Sequence, residues 1–359
     1  MVATGASAAL PEALPVQVPA ADANIRYIGR WDTAAQAGPT AAWTASEVLA
    51  KVQATAINAK LSGSGYYQVV IDGEPTSVIG FKKGEELYSV ATGLDDKPHT
   101  VEIFRRNEGA GGSFTFKGLE LSQGGKMLPP PPASDKRILV IGDSISCGYG
   151  NESKGGNPAD KQNGYLTYGP IAARNFASEV QVVAWSGRKL WPSNTMVDLY
   201  DSTYPGCKTK YDLTKWVPGV VVIDLGTNDF GHDKTKVPDE KGWTDAAKAF
   251  IKTIRTTAPD AHIFLATGPM WIGNQDPWNK YVKSVVKDLN DAGDAKVHYL
   301  PFAIQDTKKD GMGGDWHPNV ITHTKMGAKL TAAIEKDAGW KVVAGAASDA
   351  KPDDPKNAK

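Results

Sequence analysis

The sequence predicts an α/β fold: a C-terminal α/β/α three-layer domain with a mostly parallel sheet, preceded by an N-terminal β-sandwich of the jelly-roll kind. Three observations favour this arrangement. Short alternating or apolar runs occur before residue 122, apolar runs alternate with amphipathic segments after residue 137, and four consecutive prolines lie between the two regions. With 359 residues, the chain is also longer than one hydrophobic core usually supports.

The N-terminal region has the pattern of a small β-sandwich. Strand-like runs recur at 25–31, 66–71, 100–105 and 114–121. The pair Asp72-Gly73 follows the second run and predicts a hairpin turn, because glycine tolerates a positive φ. In the last run, Gly118 interrupts the alternation and predicts a bulge or bend.

Composition sets the expected domain boundaries. Residues 1–23 are rich in Ala and Pro without a basic start or a long apolar core, so they predict a disordered or tag-like leader rather than a signal peptide. The sandwich is expected to span 24–126. A semi-rigid, proline-rich linker follows at 127–135. The α/β domain then spans 136–345, and the polar segment 346–359 predicts a disordered tail.

Strands and helices alternate in the C-terminal region. Apolar strands are predicted near 137–141, 182–185, 220–223, 263–266 and 297–300. Between them, apolar residues fall at i, i+3, i+4 and i+7 from Ala247 and again from Val282, so each helix has one apolar stripe. This alternation predicts a parallel sheet covered by helices, in which ligands bind beyond the carboxyl ends of the strands.

Composition also excludes several classes of partner. Forty basic and forty acidic side chains balance, so the chain has no charge excess that would favour nucleic acid. No apolar stretch approaches the roughly 20 residues of a membrane helix, so no membrane partner is expected. Cys147 and Cys207 show no metal-ligand spacing, and we expect neither a metal nor a cofactor. Two free thiols and one disulfide are both compatible with this pair.

The stretch Gly-Asp-Ser-Ile-Ser-Cys-Gly at 142–148 directly follows the strand predicted at 137–141. A serine on a glycine-flanked turn at the end of a strand is where an α/β protein can expose a nucleophile. Its hydroxyl needs a base and donors for an oxyanion, because a free serine is a weak nucleophile. Gly-Thr-Asn-Asp at 226–229 and Asp-Trp-His-Pro at 315–318 can supply both. The pattern therefore predicts a serine esterase.

These segments occur in the order found in the SGNH, or GDSL-type, hydrolase superfamily. Gly-Asp-Ser resembles its first block, Gly187 its second, Gly-Thr-Asn-Asp its third and His317 its fifth, over about residues 137–340. The preceding β-sandwich, Arg-Tyr-Ile-Gly-Arg at 26–30 and Gly-Asp-Ser-Ile-Ser-Cys-Gly-Tyr-Gly at 142–150 are similar to carbohydrate esterase family 2. With that match, the resemblance extends over nearly the whole chain.

The resemblance implies removal of O-acetyl groups from plant cell-wall polysaccharide such as xylan or glucomannan, with some preference for the 6-O position. It implies that Ser144 attacks the acetyl carbonyl and that His317 is the base. Backbone N–H groups of Ser144 and Gly187 and the side-chain amide of Asn228 would form the oxyanion hole. An acetylated poly- or oligosaccharide is the expected partner. We expect a secreted or periplasmic protein that acts as a monomer.

One position departs from the superfamily. The orienting acid is expected three residues before the histidine, where this chain has Gly314. The nearby carboxylate is Asp315, two residues before His317. It could reach Nδ1 of the imidazole and complete a triad, or a backbone carbonyl could take that place and leave a Ser–His dyad. We favour the triad with Asp315.

Three further residues are candidates for substrate binding: Trp271, Trp316 and Arg188. Aromatic faces stack on the apolar faces of sugars, although packing in the core explains a single tryptophan equally well. Arg188 can contact substrate or pair with an acid. Asp143 and Asp229 are expected to be structural, with carboxylates that accept backbone N–H bonds in tight loops.

Two alternative functions stay open. The same site would serve a general short-chain GDSL esterase or lipase. The chain could also be a polysaccharide-binding protein with a secondary esterase activity.

Overall fold

The computed structural model describes residues 15–343, apart from 83, 232 and 234. The strands of the N-terminal region are β1 (Val16–Pro19), β2 (Ile25–Ile28), β3 (Thr40–Ala41), β4 (Glu47–Gln53), β5 (Ala56–Gly63), β6 (Tyr66–Ile71), β7 (Glu74–Gly80), β8 (Leu87–Thr92), β9 (Pro98–Arg105), β10 (Phe114–Leu121) and β11 (Lys126–Leu128). The C-terminal region contains the strands β12 (Arg137–Gly142), β13 (Glu179–Ala184), β14 (Val220–Asp224), β15 (His262–Thr267) and β16 (Val297–Pro301). Its helices are α1 (Ser144–Cys147), α2 (Tyr168–Asn175), α3 (Thr227–Phe230), α4 (Glu240–Arg255), α5 (Gln275–Asp291) and α6 (Val320–Asp337).

The N-terminal domain is a sandwich of two antiparallel sheets, as predicted. One sheet has the order β1-β10-β5-β8, with β3 paired to β10; the other has the order β11-β4-β9-β6-β7, with β2 paired to β4. Asp72 and Gly73 form the turn between β6 and β7, both with positive φ. Gly118 marks a register shift in β10, with a φ of 130°. A Cβ atom there would lie 2.2 Å from the carbonyl oxygen of Val18, so a side chain does not fit.

The sandwich begins earlier and ends later than the sequence predicted. Strand β1 pairs antiparallel with β10 and buries Val18, so residues 16–19 belong to the sheet rather than to a leader. Strand β11 pairs with β4, so Met127 and Leu128 are not part of the linker. In both cases a short edge strand forms hydrogen bonds with the backbone of its neighbour, and composition alone does not predict this pairing. Residues 1–14 and the predicted tail at 346–359 lie outside the described residues.

The C-terminal domain has the predicted three layers. Its five strands are all parallel, in the order β13-β12-β14-β15-β16. Successive residues of β12 face opposite layers: Ile138 and Val140 pack with α2 and α6, while Leu139 and Ile141 pack with α4 and α5. The strand is therefore apolar on both faces, as a central parallel strand requires.

The strand order brings three loops together. Strand β12 lies between β13 and β14, and the three are parallel and in register at their carboxyl ends. The chain leaves these ends at residues 143, 185 and 225. Because the chain order reverses beside β12, a crevice forms between the loops that follow it. The three sequence segments predicted to form the site begin there.

Two arginines of the sandwich contact the α/β domain. Arg30 is buried; its Nε donates to Oε1 of Gln181 at 3.2 Å and its guanidinium also donates to the carbonyls of Tyr200 and Ser202. Arg26 forms an ion pair with Glu179 at the start of β13. Hydrogen bonds to a charged group are stronger than neutral ones when buried. The proline linker is thus one of several connections between the domains.

Both cysteines are free thiols. Cys147 is fully buried in α1, while Cys207 is partly buried with its Sγ 3.8 Å from Oδ2 of Asp32 in the sandwich. The structure therefore favours the free-thiol alternative. Within the part of the chain that is described, no helix is both long and apolar enough to cross a membrane.

Candidate active site

Ser144 lies at the first position of α1, directly beyond the end of β12. The carboxylate of Asp143 caps this helix, because its Oδ1 accepts a hydrogen bond from the backbone N–H of Ile145 at 3.0 Å. The helix ends after one turn at Gly148, which has a φ of 75°. Oγ of Ser144 lies 2.8 Å from Nε2 of His317. This is the distance that a nucleophile and its general base require.

Two main-chain carbonyls orient His317. Its Nδ1 lies 3.0 Å from the carbonyl oxygen of Asp315 and 3.2 Å from that of Gly314. Carbonyl oxygens only accept hydrogen bonds, so Nδ1 must be the protonated nitrogen of the neutral ring. Nε2 is then free to accept the proton of the Ser144 hydroxyl.

The carboxylate of Asp315 does not have the role that the sequence favoured. It accepts a hydrogen bond from the hydroxyl of Tyr149 at 2.9 Å, and the contact of Asp315 with the imidazole is through its main-chain carbonyl. Asp315 has a φ of 49° and a ψ of 45°, a left-handed conformation. The side chain consequently extends toward Tyr149 while the carbonyl faces His317. These contacts correspond to the alternative arrangement, a Ser–His dyad.

Close packing excludes an acid at the superfamily position. The backbone N–H of Gly314 donates to the carbonyl of Gly150 at 2.9 Å, and a Cβ atom on Gly314 would lie 1.5 Å from the carbonyl oxygen of Gly156. No side chain fits in that space without movement of the 150–156 loop. The departure from the superfamily pattern thus has a steric basis.

Tyr149 was not predicted from the sequence. Its ring stacks on the imidazole of His317, with centroids 4.3 Å apart and planes inclined by 29°. The Tyr149–Asp315 hydrogen bond fixes that ring at its far end. Tyr149 therefore restricts rotation of the imidazole, and its place in Gly-Tyr-Gly after the nucleophile was the only available signal.

Burial is the main influence on His317. It lowers the pKa of the imidazole, because the charged form loses hydration. The carbonyls of Asp315 and Gly314 and the charges of Asp315 and Glu108 act in the opposite direction, but the net shift is downward. The ring is therefore neutral, as a base must be, at neutral pH.

The predicted oxyanion groups lie on adjacent loops. Gly187 follows β13 with a φ of 76°, and no atom lies within 4 Å of the place a Cβ would occupy. Asn228, in α3 after β14, donates from Nδ2 to Oδ2 of Asp143 at 3.1 Å and to the carbonyl of Arg188 at 2.9 Å. Asn228 thus connects the first and second blocks. Both of its amide hydrogens are engaged, so one bond must be exchanged before it can donate to a substrate.

The structural role predicted for Asp143 and Asp229 is confirmed. Asp143 caps α1 and holds Asn228, as described above. The carboxylate of Asp229 accepts from the backbone N–H groups of Leu190 and Trp191 and from Nε1 of Trp243, at 2.9–3.1 Å. Burial raises the pKa of Asp229 to about 6, and these donors oppose that rise.

A second buried carboxylate lies beneath the nucleophile. Burial raises the pKa of Asp224, the last residue of β14, to about 7, against the opposing effect of the Tyr168 and Ser146 hydroxyls. The pKa of Asp143 is also raised, first by burial and then by the charge of Asp224. Two buried carboxyl groups this close favour a state in which one is protonated.

Of the three predicted substrate-binding residues, the two tryptophans are exposed and Arg188 is partly buried. Trp271 is 65% exposed and Trp316 is 71% exposed, so neither belongs to the core. Trp316 directly precedes His317 and has a φ of 63°. The guanidinium of Arg188 lies over the ring of Trp185, 4.5 Å from its centroid.

One residue of the sandwich, Glu108, contacts the loop that contains Gly187. Glu108 lies just beyond β9, and its carboxylate accepts from both the backbone N–H and the hydroxyl of Ser186, each at 2.7 Å. Ser186 directly precedes Gly187. Nothing in the sequence indicated this contact, because the two residues are 78 positions apart and lie in different domains.

Comparison with known proteins follows the same division of the chain. Residues 27–131 match the family Carbohydrate esterase 2 N-terminal, and residues 140–325 match the GDSL-like Lipase/Acylhydrolase family. A family two carbohydrate esterase from Clostridium thermocellum, solved in complex with cellohexaose, has a TM-score of 0.83 and 35% identity, over 88% of this chain and 99% of that one. The chain belongs to carbohydrate esterase family 2.

Two relatives in family 2 differ in length. Cellulase/esterase CelE of Acetivibrio thermocellus is 36% identical over 329 residues, which is 88% of this chain but 40% of CelE. An acetylxylan esterase / glucomannan deacetylase of Cellvibrio japonicus is 26% identical over 337 residues, 90% of this chain and 91% of that protein. This chain therefore spans two-fifths of the first relative and nearly all of the second.

Because main-chain carbonyls orient His317, Asp315→Asn should have only a small effect on catalysis. We expect kcat for 4-nitrophenyl acetate to fall by less than about tenfold, since an asparagine keeps both the main-chain carbonyl and an acceptor for Tyr149. Asp→Asn in a triad costs about 10,000-fold. A loss approaching that size would show that the carboxylate, not the carbonyl, orients His317.

The lowered pKa of His317 predicts the acid limb of the pH profile. The base acts only when neutral, and a lowered pKa keeps it neutral at lower pH. We therefore expect kcat/KM to rise through an apparent pKa below the ordinary histidine value of about 6.5, and then to level off. A midpoint above about 7 for a substrate with rate-limiting chemistry would contradict this.

Proposed function

We propose that the chain is a carbohydrate O-acetylesterase that removes acetyl groups from plant cell-wall polysaccharide such as xylan or glucomannan. The 2.8 Å contact between Oγ of Ser144 and Nε2 of His317 is the observation on which this depends. The names of the Cellvibrio japonicus relatives, acetylxylan esterase / glucomannan deacetylase, support the substrate class. The 6-O-acetyl position is the proposed preference within it.

In the proposed reaction, Ser144 attacks the acetyl carbonyl while Nε2 of His317 takes the hydroxyl proton. The carbonyls of Gly314 and Asp315 stabilise the resulting imidazolium through Nδ1–H. The imidazolium then protonates the departing sugar oxygen, which leaves an acetyl-serine. Water, activated by the same imidazole, hydrolyses that ester and restores the enzyme.

The negative oxygen of each tetrahedral intermediate would accept from the backbone N–H groups of Ser144 and Gly187 and from the amide of Asn228. Asn228 would exchange its bond to Arg188 or Asp143 for this one. Each such donor typically contributes about 100- to 1,000-fold in rate. Of the three donors, Asn228 is therefore the one that must give up an existing hydrogen bond before it can bind the oxyanion.

The exposed indoles of Trp271 and Trp316 would contact sugar rings on the outer side of the site. Arg188, which already lies over Trp185, would contact polar groups of the chain. Cellohexaose in the solved relative at 35% identity supports a site that accepts a linear sugar chain.

The same observations favour a second candidate function. A cleft with two exposed tryptophans, similar to one that holds cellohexaose in a relative, could retain a glucan without cleaving an ester. We place this second to hydrolysis, because sugar binding does not require the Ser144–His317 contact.

Location and assembly belong to the same proposal. A secreted or periplasmic protein is proposed, because plant polysaccharide is too large to enter a cell. A monomer is proposed, because Ser144 and His317 of a single chain already lie within hydrogen-bond distance and the proposed chemistry needs no partner subunit.

Acetate release tests the proposal directly. We expect the parent protein to release acetate from acetylated glucomannan and acetylated xylan, and Ser144→Ala to lower the rate by at least about 1,000-fold. Binding of Ser144→Ala to cello-oligosaccharide should be unchanged, which would show that the loss of acetate release is a loss of chemistry rather than of sugar binding.

Other outcomes would contradict it. Cleavage of 4-nitrophenyl acetate without acetate release from either polysaccharide would indicate a short-chain esterase or lipase. Glucan binding without any ester cleavage would favour the second candidate.

A further inference from the structure

Glu108 is a buried carboxylate at the boundary between the domains. It is 6% exposed and lies in the loop between β9 and β10. Among the residues that the structure describes, it forms no ion pair. Burying a carboxylate without a cation is costly, so hydrogen bonds must stabilise it.

Two of those hydrogen bonds come from a single residue of the α/β domain. Oε2 of Glu108 accepts from the backbone N–H of Ser186, and Oε1 accepts from its hydroxyl, each at 2.7 Å. One carboxylate therefore fixes both the main chain and the side chain of Ser186. Short bonds to an ionised acceptor are among the stronger ones in proteins.

Glu108 is itself held in place. Its backbone N–H donates to Oε1 of Gln162 at 3.3 Å, and Nε2 of Gln162 donates to Oε1 of Glu108 at 3.2 Å. The guanidinium of Arg105 donates to the main-chain carbonyls of Asn107 and Glu108. The carboxylate thus extends from a loop with little freedom.

The segment that Glu108 contacts, residues 185–188, is the oxyanion loop. Its two ends are held within the α/β domain, since the N–H of Trp185 donates to the carbonyl of Gly142 at 3.3 Å and Nδ2 of Asn228 donates to the carbonyl of Arg188 at 2.9 Å. Its middle is held less firmly: Gly187 has open space where a Cβ would lie, and the contact to its carbonyl within the described residues comes from the exposed side chain of Asn194 at 3.1 Å. The N–H of Arg188 donates to the carbonyl of Trp185 at 3.2 Å. A loop of this kind needs an external contact to keep the N–H of Gly187 in one place.

We infer that Glu108 is a positioning residue: the sandwich domain, through its hydrogen bonds to Ser186, fixes the oxyanion loop and thereby the N–H of Gly187. This inference rests on the proposed function. Donors fixed before the reaction are effective because they need no reorganisation in the transition state. A displacement of about 1 Å in such a group can cost about 100-fold in rate. The sandwich accordingly contributes a positioning residue that acts on the oxyanion loop.

The charge of Glu108 provides an independent signature. The titratable groups that face it are His317, Asp143, Cys147 and Tyr149. Those that face His317 are Glu108, Asp315, Tyr149 and His323. Burial lowers the pKa of His317 and the negative charge of Glu108 opposes that effect. Without this charge, the pKa of His317 falls further, and the acid limb of the pH profile moves to lower pH.

The test is Glu108→Gln, assayed with 4-nitrophenyl acetate so that the result does not depend on the polysaccharide. Glutamine keeps the size but has one acceptor oxygen, so one bond to Ser186 is lost. We expect kcat to fall about 10- to 100-fold with KM within about twofold, because the oxyanion forms only in the transition state. The acid limb of kcat/KM should move to lower pH.

Two matched variants separate positioning from stability. Arg26→Met breaks a domain contact at the opposite end of β13 and should lower the melting temperature without changing kcat or the acid limb. Ser186→Ala removes one of the two Glu108 bonds. In the double variant, the fold loss of kcat should be smaller than the product of the losses in Ser186→Ala and Glu108→Gln, since both substitutions act on the same contact.

These measurements distinguish a failure of the positioning role of Glu108 from a failure of the proposed function. A kcat for Glu108→Gln within about twofold of the parent, or an unchanged acid limb, would overturn the positioning role while leaving the proposed function intact. Losses that multiply fully with those of Ser186→Ala would also overturn it. A parent protein inactive on every acetyl ester would overturn the proposed function, and this inference with it.

Discussion

The contact between Nδ1 of His317 and the main-chain carbonyls of Gly314 and Asp315 determines how the site is arranged. A backbone acceptor cannot change its protonation state, and it stays in place as long as its loop does. That loop is held by Gly314, whose N–H donates to Gly150 and whose missing side chain admits the carbonyl of Gly156. The ring is further confined by stacking with Tyr149. With Nδ1 committed in this way, Nε2 is left to contact the hydroxyl of Ser144.

The parallel pairing of β12 with β13 and β14 supplies the other half of the arrangement. Ser144, the oxyanion loop and Asn228 each follow one of these strands, so the sheet itself fixes their spacing. The sandwich contacts one of these loops through Glu108, at the carboxyl end of β13, and it contacts the opposite end of the same strand through Arg26. The domain that composition separates by a proline linker is therefore joined to the site by buried polar contacts.

Much of this could be predicted from the sequence. Period-2 and period-3.6 patterns predicted both domains, and the order of motifs singled out Ser144 and His317, which lie 2.8 Å apart in the structure. Three features could not be predicted. The short strand β1 has no pattern of its own and forms because β10 offers an unpaired edge. The orientation of Asp315 follows from a positive φ that sequence spacing does not reveal. The Glu108–Ser186 contact joins residues in different domains, and neither residue has a local signal.

The position of the proton on His317 shows whether the backbone orients the base. Nuclear magnetic resonance of the imidazole nitrogens, with His317→Ala to assign this ring among the six histidines, would identify the protonated nitrogen above the pKa. We expect a proton on Nδ1 and none on Nε2, both in the parent protein and in Asp315→Asn, because the carbonyls are present in both. A proton on Nε2, or a change of tautomer on Asp315→Asn, would show that the backbone does not orient the base.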